Sequence, residues 1–345
     1  MKEISKLIEI FKKGKDLEIE STKDFINCLA DKEQSEMNLA LLTTAWKLKG
    51  ISSEELALIA NHILDNYIGR VILPIDKNEI LLDCCGVGGD DSQSFNISTT
   101  TAFVLACCGI KIAKHGGRKT TSQSGSIDLL DALNIKTILS TNKEEIIKTL
   151  NEKKLLFIAS PATQQILGKW KTVCQKLEFK GLTGLIGTLT NPININYQII
   201  GVPKFEMGEL MIEALKLLKR ERACVVFGYP KLDEISICGN THIWELNNNQ
   251  ILEYEINPED YGLGIYRLDE IKGGDAEYNK KIFLDFLDNS AKEAIKNAVL
   301  FNSAFILNIC KKAPSIKEAF TFLKFKLENN DFKKYFLENF KNMKN

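Results

Sequence analysis

Histidine is scarce in this chain. There are only three, His62, His115 and His242, and they are too scattered to suggest a metal triad. The nine cysteines include two adjacent pairs, Cys84/Cys85 and Cys107/Cys108, but no CxxC, which leaves zinc or iron–sulfur ligation with little support. They read as reduced, small, buried hydrophobes. No apolar run approaches the length needed to span a bilayer. The opening "MKEISKLIEIFKK" lacks the apolar core and cleavage site of a secretion signal, so a cytoplasmic location is expected. Net charge is also lacking, with 45 Lys+Arg against 45 Asp+Glu. No overall basic field exists, and nucleic acid is not an expected partner. The basic clusters "FKKGK" and "LKRER" and the Lys-rich C-terminus read as solvated faces. Internal repeats, a Walker A loop, a GxGxxG fingerprint and a nucleophile elbow are missing too. Trp46, Trp170 and Trp244 read as packing residues.

What is present falls into two grammars. Residues 1–70 read as four helices with short joints. "STKDFINCLA" opens on Ser21 with Asp24 three positions on, a weak capping box. "QSEMNLALLTTAWKLKG" ends on Gly50, and "SSEELALIANHILDNYIG" opens with Ser52 and Glu55, a good capping box, and stops at Gly69. Short apolar runs then alternate with helical stretches. Strands are expected at 79–85, 110–113, 136–139, 155–160 and 223–230, with helices between the first four and a long late helix or helix pair from "SAKEAIKNAVL" onward. This pattern argues for a mostly parallel sheet covered on both faces. The expected fold is α/β. A helical domain spans 1–70, with about 161–190 as a candidate addition to it, and a larger α/β domain spans 71–345.

Three loops carry the chemistry. In "LLDCCGVGGDDSQSFNISTT", Gly86, Gly88 and Gly89 follow a strand, where glycine lets backbone N–H groups turn toward a ligand. A helix then starts, with Asn96 or Ser98 as its cap, and such a terminus is an anion site. Phosphate is the natural guess; a tight turn with an ordinary cap is the alternative. One strand later, "AKHGGRKTTSQSGSIDLL" places Lys114, His115 and Arg118 beside glycines and hydroxyls. In open sheets, ligands bind off the carboxyl ends of strands, so the two loops would share a crevice. Asp233 and Glu234 follow the strand "ACVVFGYP". Paired carboxylates near a polyphosphate suit Mg²⁺, which takes one or two acids, waters and phosphate oxygens.

The run "GVGGDD…NIST…KHGGR…SGSIDLL…TNP…LDE" resembles the anthranilate phosphoribosyltransferases in order and spacing, out to "KGGDAEYN" at 272–279. The resemblance implies a small helical domain on a larger α/β domain, paired as a homodimer through the helices. It implies phosphoribosyl diphosphate as donor. Gly86, Gly89 and Asp90 would hold its diphosphate and ribose, and Ser94, Asn96, Ser98 and Thr99 would bind it from the helix start. Lys114, His115, Gly116, Gly117, Arg118, Lys119, Thr120, Thr121, Ser122 and Ser126 would wrap the rest. Ser98, Asp233 and Glu234 match the family's magnesium positions. Val87 stands where the family usually has Thr, and Asp91 where it has Gly.

The acceptor side departs from the family pattern. Gly117 replaces an Asn that contacts anthranilate, Cys174 stands at the Arg that pairs its carboxylate, and Thr188 replaces a tunnel-lining Pro. The usual His-Pro pair is absent from "SPATQQ". Losing a buried Arg opposite a carboxylate costs roughly 2–5 kcal/mol, about 30-fold to several thousandfold in affinity. Lys169, Lys171 or Lys176 would be the replacement charge. The implied reaction displaces diphosphate from the anomeric carbon by a nitrogen nucleophile, through positioning and leaving-group neutralisation, with no covalent nucleophile. His115 is read as structural or ligand-orienting in preference to a base. Two alternatives stay open: a phosphoribosyltransferase or phosphorylase with another nitrogen base, and a nucleic-acid-binding member of the family.

Overall fold

The computed structural model describes residues 2–89, 92–118, 123–138, 142–159 and 161–340, with side chains from residue 166 onward in the helix that begins at Pro161. Five parallel strands form its centre: β1 (Leu81–Gly86), β2 (Lys111–Gly116), β3 (Leu155–Ala159), β4 (Tyr197–Gly201) and β5 (Arg222–Gly228). An antiparallel hairpin, β6 (Thr241–Asn247) and β7 (Gln250–Ile256), extends one edge, giving the order β3-β2-β1-β4-β5-β6-β7. The parallel strands are short and apolar because helices cover both their faces, and β1 to β3 are almost wholly buried. The order reverses between β1 and β4, and such a switch point opens a crevice at the strands' carboxyl ends.

Four helices come first: α1 (Lys2–Lys12), α2 (Ile19–Ala30), α3 (Glu36–Lys49) and α4 (Ser53–Ile63). The capping box at α4 is real. Ser52 Oγ accepts the Glu55 N–H at 3.2 Å, and Glu55 Oε2 accepts the Ser52 N–H at 3.1 Å. Glu55 is fully buried and also accepts Trp46 Nε1 at 3.1 Å and Lys49 Nζ at 2.7 Å. The α2 start differs from expectation. The helix begins at Ile19, and Ser21 sits inside the first turn, where its Oγ accepts the Glu18 N–H at 2.8 Å.

Next come α5 (Ile97–Cys107), α6 (Ser126–Ala132) and α7 (Lys143–Lys153), then α8 (Pro161–Lys176), α9 (Leu182–Leu189) and α10 (Met207–Leu217). The chain closes with α11 (Ala276–Leu287), α12 (Glu293–Ile309), α13 (Ile316–Glu328) and α14 (Asp331–Phe340). Helices α5 and α11–α14 bury one sheet face, where Phe103 packs against Phe157, Phe283, Phe336 and Phe340. Helices α1–α4 and α8–α10 share the other core, with α8 on α2 and α3, and α9 on α4. Among the described residues, no helix is long and apolar enough to cross a membrane. The strand expected at 136–139 is a single bridge, Ile138 to Ile158, with Leu139 outside the described residues. Strands β4, β6 and β7 lie in segments for which the sequence reading had no element.

Candidate active site

The carboxyl ends of β1 and β2 open into a cavity of about 260 Å³, walled by the 233–234 loop on one side and by α8 and α9 on another. Gly86, Gly89, Ser94, Asn96, Ser98, Lys114, His115, Gly116, Gly117, Arg118, Ser126, Thr188, Asp233 and Glu234 all line it. Asp90, Asp91, Lys119, Thr120, Thr121 and Ser122 lie outside the described residues. Thr99 and Cys174 are placed elsewhere than their pattern implies. Thr99 is buried behind the wall, where its hydroxyl donates to Ser126 Oγ at 3.1 Å. Cys174 is 2% exposed within the helical core and does not line the cavity, because its position on α8 turns it inward.

The loop after β1 meets the acids directly. Gly88 and Gly89 take φ of +72° and +86°, a region costly for other residues. A Cβ on Gly86 would stand 2.2 Å from Asp233 Oδ2, so any side chain there would displace the Asp233 carboxylate. The Gly88 N–H donates to Asp233 Oδ2 at 3.0 Å, and the Ser98 N–H at the start of α5 donates to Glu234 Oε1 at 3.2 Å. Asn96 holds the N-cap position without capping by its side chain. It donates instead to the Ser124 carbonyl at 3.3 Å and accepts from Asn279 Nδ2 at 2.8 Å. These two backbone donors are thus turned onto the two carboxylates, which ties the glycine loop and the start of α5 to the 233–234 loop.

Lys114 is 1% exposed, and its Nζ donates to Ser98 Oγ at 3.2 Å and to the Cys84 carbonyl. It ties the end of β1 to the start of α5 and keeps a positive charge beneath both. Arg118 reaches the rim and pairs with Asp131 at 2.8 Å and Asp128 at 3.2 Å on α6. His115 is buried, and burial pushes its imidazole below the usual histidine range, so the ring is neutral near pH 7. Its backbone N–H donates to Asp83 Oδ1 at 3.0 Å, and Asn191 Nδ2 donates to Asp83 Oδ2 at 3.0 Å. One buried carboxylate therefore fixes both the KHGG and the TNP segments. The Cys84 thiol is pushed up to about 12 by burial, so it is protonated and no nucleophile.

The donor set suits a hard divalent ion. Asp233, Glu234 and Ser98 offer oxygen alone, and among the described residues no group of three or more His, Cys, Asp or Glu is placed to hold a metal ion. An incomplete oxygen set of this kind fits Mg²⁺, which keeps waters and takes phosphate oxygens for the rest of its shell.

The structure completes the acceptor wall, of which the sequence reading had Thr188 and, among three lysines, Lys171. Leu167, Trp170 and Lys171 of α8, with Thr183, Gly184 and Gly187 of α9, line the cavity opposite the loops. Trp170 also packs, donating Nε1 to Thr43 Oγ1 at 2.8 Å. Of the lysines on α8, Lys169 donates to the Lys32 carbonyl at 2.8 Å and Lys176 pairs with Glu36 at 2.6 Å. Lys171 faces the cavity, and burial lowers its ammonium below the usual lysine range.

Residues 78–329 match the glycosyl transferase family, a/b domain. A curated relative called anthranilate phosphoribosyltransferase, from Persephonella marina, is 33% identical over 315 residues, 91% of each chain. One of the same name from Dictyoglomus thermophilum is 34% identical over 322 residues, 93% of this chain and 94% of its own. The crystal structure of the Thermus thermophilus anthranilate phosphoribosyltransferase is similar at 27% identity, with a TM-score of 0.82 over 99% of both chains. The Saccharomyces cerevisiae enzyme, solved in complex with PRPP and Mg, shares the fold at 22% identity, with a TM-score of 0.84 over 97% of both chains. The chain belongs to the anthranilate phosphoribosyltransferase family.

Proposed function

We propose that this protein transfers the phosphoribosyl group of phosphoribosyl diphosphate to the nitrogen of anthranilate or a related aromatic amine, with Mg²⁺. The observation that carries the reading is the meeting of three strand-end elements in one cavity: the glycine loop, the KHGG segment and the 233–234 acids. The loop amides and the start of α5 would hold the diphosphate, with Lys114 beneath them. The S. cerevisiae relative was solved with PRPP and Mg. Asp233, Glu234 and Ser98 would hold Mg²⁺, which would supply charge neutralisation for the departing diphosphate. The bond from the anomeric carbon to diphosphate oxygen breaks, a bond to nitrogen forms, and the amine releases its proton. A neutral, buried His115 orients rather than abstracts. The test is direct: purified protein, donor, Mg²⁺ and anthranilate should consume the fluorescent acceptor and release one diphosphate per turnover. Diphosphate release with another nitrogen base and none with anthranilate would favour the second reading, to which Gly117 and Thr188 point.

The reading includes Lys171 as the cation for the acceptor's carboxylate. Its ammonium makes no hydrogen bond or ion pair among the described residues. A charge-assisted hydrogen bond contributes about 1.5–3 kcal/mol, so Lys171→Met should raise KM for anthranilate at least tenfold. Lys171→Arg should recover most of the loss, and turnover of aniline, which has no carboxylate, should not change. Equal losses with both acceptors would remove Lys171 from this role.

The reading also includes two domains, with α8 and α9 joined to α1–α4, and a cytoplasmic homodimer. Nine free thiols suit a reducing compartment. On α3, Met37, Leu41 and Leu48 are 79%, 52% and 81% exposed along one helical face, an apolar stripe with a second copy as its natural cover. A Leu41→Glu, Leu48→Glu variant should sediment as a monomer with unchanged helix content. If it stays dimeric, the dimer uses another face.

A further inference from the structure

A second cavity, of about 640 Å³, opens at the opposite end of the sheet, where β1, β4 and β5 begin. Its walls are the 70–77 segment leading into β1, the 191–196 segment leading from α9 into β4, and the 218–221 turn between α10 and β5. Arg70, Lys77, Lys219 and Arg220 line it, against Asp76 and Glu221.

Arg220 decides what the cavity would hold. Its Nε donates to Gln198 Oε1 at 2.9 Å and its Nη1 to the Ile195 carbonyl at 3.5 Å. A guanidinium has five N–H groups, so three have no protein partner among the described residues. Among those residues no carboxylate pairs with it either. Burial pulls Arg220 down to about 10, the charge of Arg70 pulls the same way, and Asp83 opposes them. Arg70 is paired with Asp65 through Nε and donates Nη2 to Asn61 Oδ1 at 2.7 Å, so the unmet donors are those of Arg220. A guanidinium held partly out of water, with free donors facing a cavity, is relieved by an oxyanion, which a planar donor fork matches. Its acceptor Gln198 is fully buried and donates in turn to the Thr188 carbonyl at 2.7 Å, at the active-site wall.

We propose that this second cavity binds a small oxyanion, of the phosphate or carboxylate class, against Arg220 and Arg70. The proposal does not depend on the transferase reading.

The chain has five arginines, so their Nε–Hε resonances can be followed singly in ¹⁵N-labelled protein. Inorganic phosphate, acetate and chloride would be titrated at matched ionic strength, with Arg220 assigned from Arg220→Lys and Arg70 from Arg70→Lys. The expected result is a saturable shift of the Arg70 and Arg220 resonances with phosphate or acetate, while Arg222 and Arg267 stay still. Which of the two anions saturates first names the class. A Lys77→Gln, Lys219→Gln variant, altered only at the cavity mouth, should weaken that binding at least threefold. Shifts confined to Arg118, which reports on the active site, would overturn the proposal. So would shifts that chloride reproduces, or an unchanged affinity in the Lys77→Gln, Lys219→Gln variant.

Discussion

An Asp233→Asn, Glu234→Gln variant should lose about 10²–10³-fold in kcat/KM while keeping its fold. The substitutions preserve size and leave an oxygen on each side chain to accept the Gly88 and Ser98 N–H groups, so the loop and the start of α5 stay in place. What goes is the negative charge with which the two acids would hold Mg²⁺. Two arms check the cause. Donor binding by calorimetry should strengthen with Mg²⁺ in the native protein and become insensitive to Mg²⁺ in the variant. Thermal unfolding should move by only a few degrees. A variant that keeps its rate within threefold, or its full response to Mg²⁺, would take the acids out of the metal's coordination and the proposed chemistry with them.

The placement of those acids was legible in the sequence because each part of the site is local. Glycines after an apolar run, hydroxyls at a helix start and acids after a strand carry their chemistry within a few residues. Bringing them together takes the strand order β3-β2-β1-β4-β5 as well, in which β4, a strand the sequence reading missed, separates β1 from β5. The α4 capping box was equally local. The failures have a common cause in tertiary context. Strand β4, "YQIIG", is five residues long, too short for its period to separate it from a helix fragment, although Asn191-Pro192 before it and Gly201 and Pro203 at its end are turn signals. The β6–β7 hairpin did leave a trace. Asn248 and Asn249, at φ +49° and +65°, form a two-residue turn of the kind that favours Asn, set between alternating runs.

The acceptor wall was harder to read for a different reason. Family spacing put Cys174 in it, but helix rotation decides which residue of α8 faces the cavity, and that follows from packing on α2 and α3. Lys171, one turn earlier, faces the cavity while Cys174 points into the core. Thr99 shows the same effect at the start of α5, where Ser98 lines the cavity and its neighbour supports Ser126 from behind.

The largest stability loss is expected not at the cavity surface but one layer beneath it, at Asp83. This carboxylate is fully buried in β1. Its Oδ1 accepts the His115 N–H at 3.0 Å, and its Oδ2 accepts Asn191 Nδ2 at 3.0 Å and Gln198 Nε2 at 3.5 Å. It is also the negative charge that offsets Arg220. Asp83→Ala would orphan donors from β2, β4 and the segment entering β4, and remove a negative charge whose field reaches Arg220 without pairing with it. Breaking one partner of a buried charged network costs roughly 3–5 kcal/mol, and urea denaturation should show a loss of that size. Asp83→Asn should recover only part of it, because an amide nitrogen must then face one of those donors. The activity loss should exceed what the unfolded fraction explains, since the same carboxylate positions His115 on one side and Asn191 on the other. A loss below about 1 kcal/mol would mean that water can replace the carboxylate. The coupling between the two segments would then reside in the backbone ladder of β1 and β2 instead.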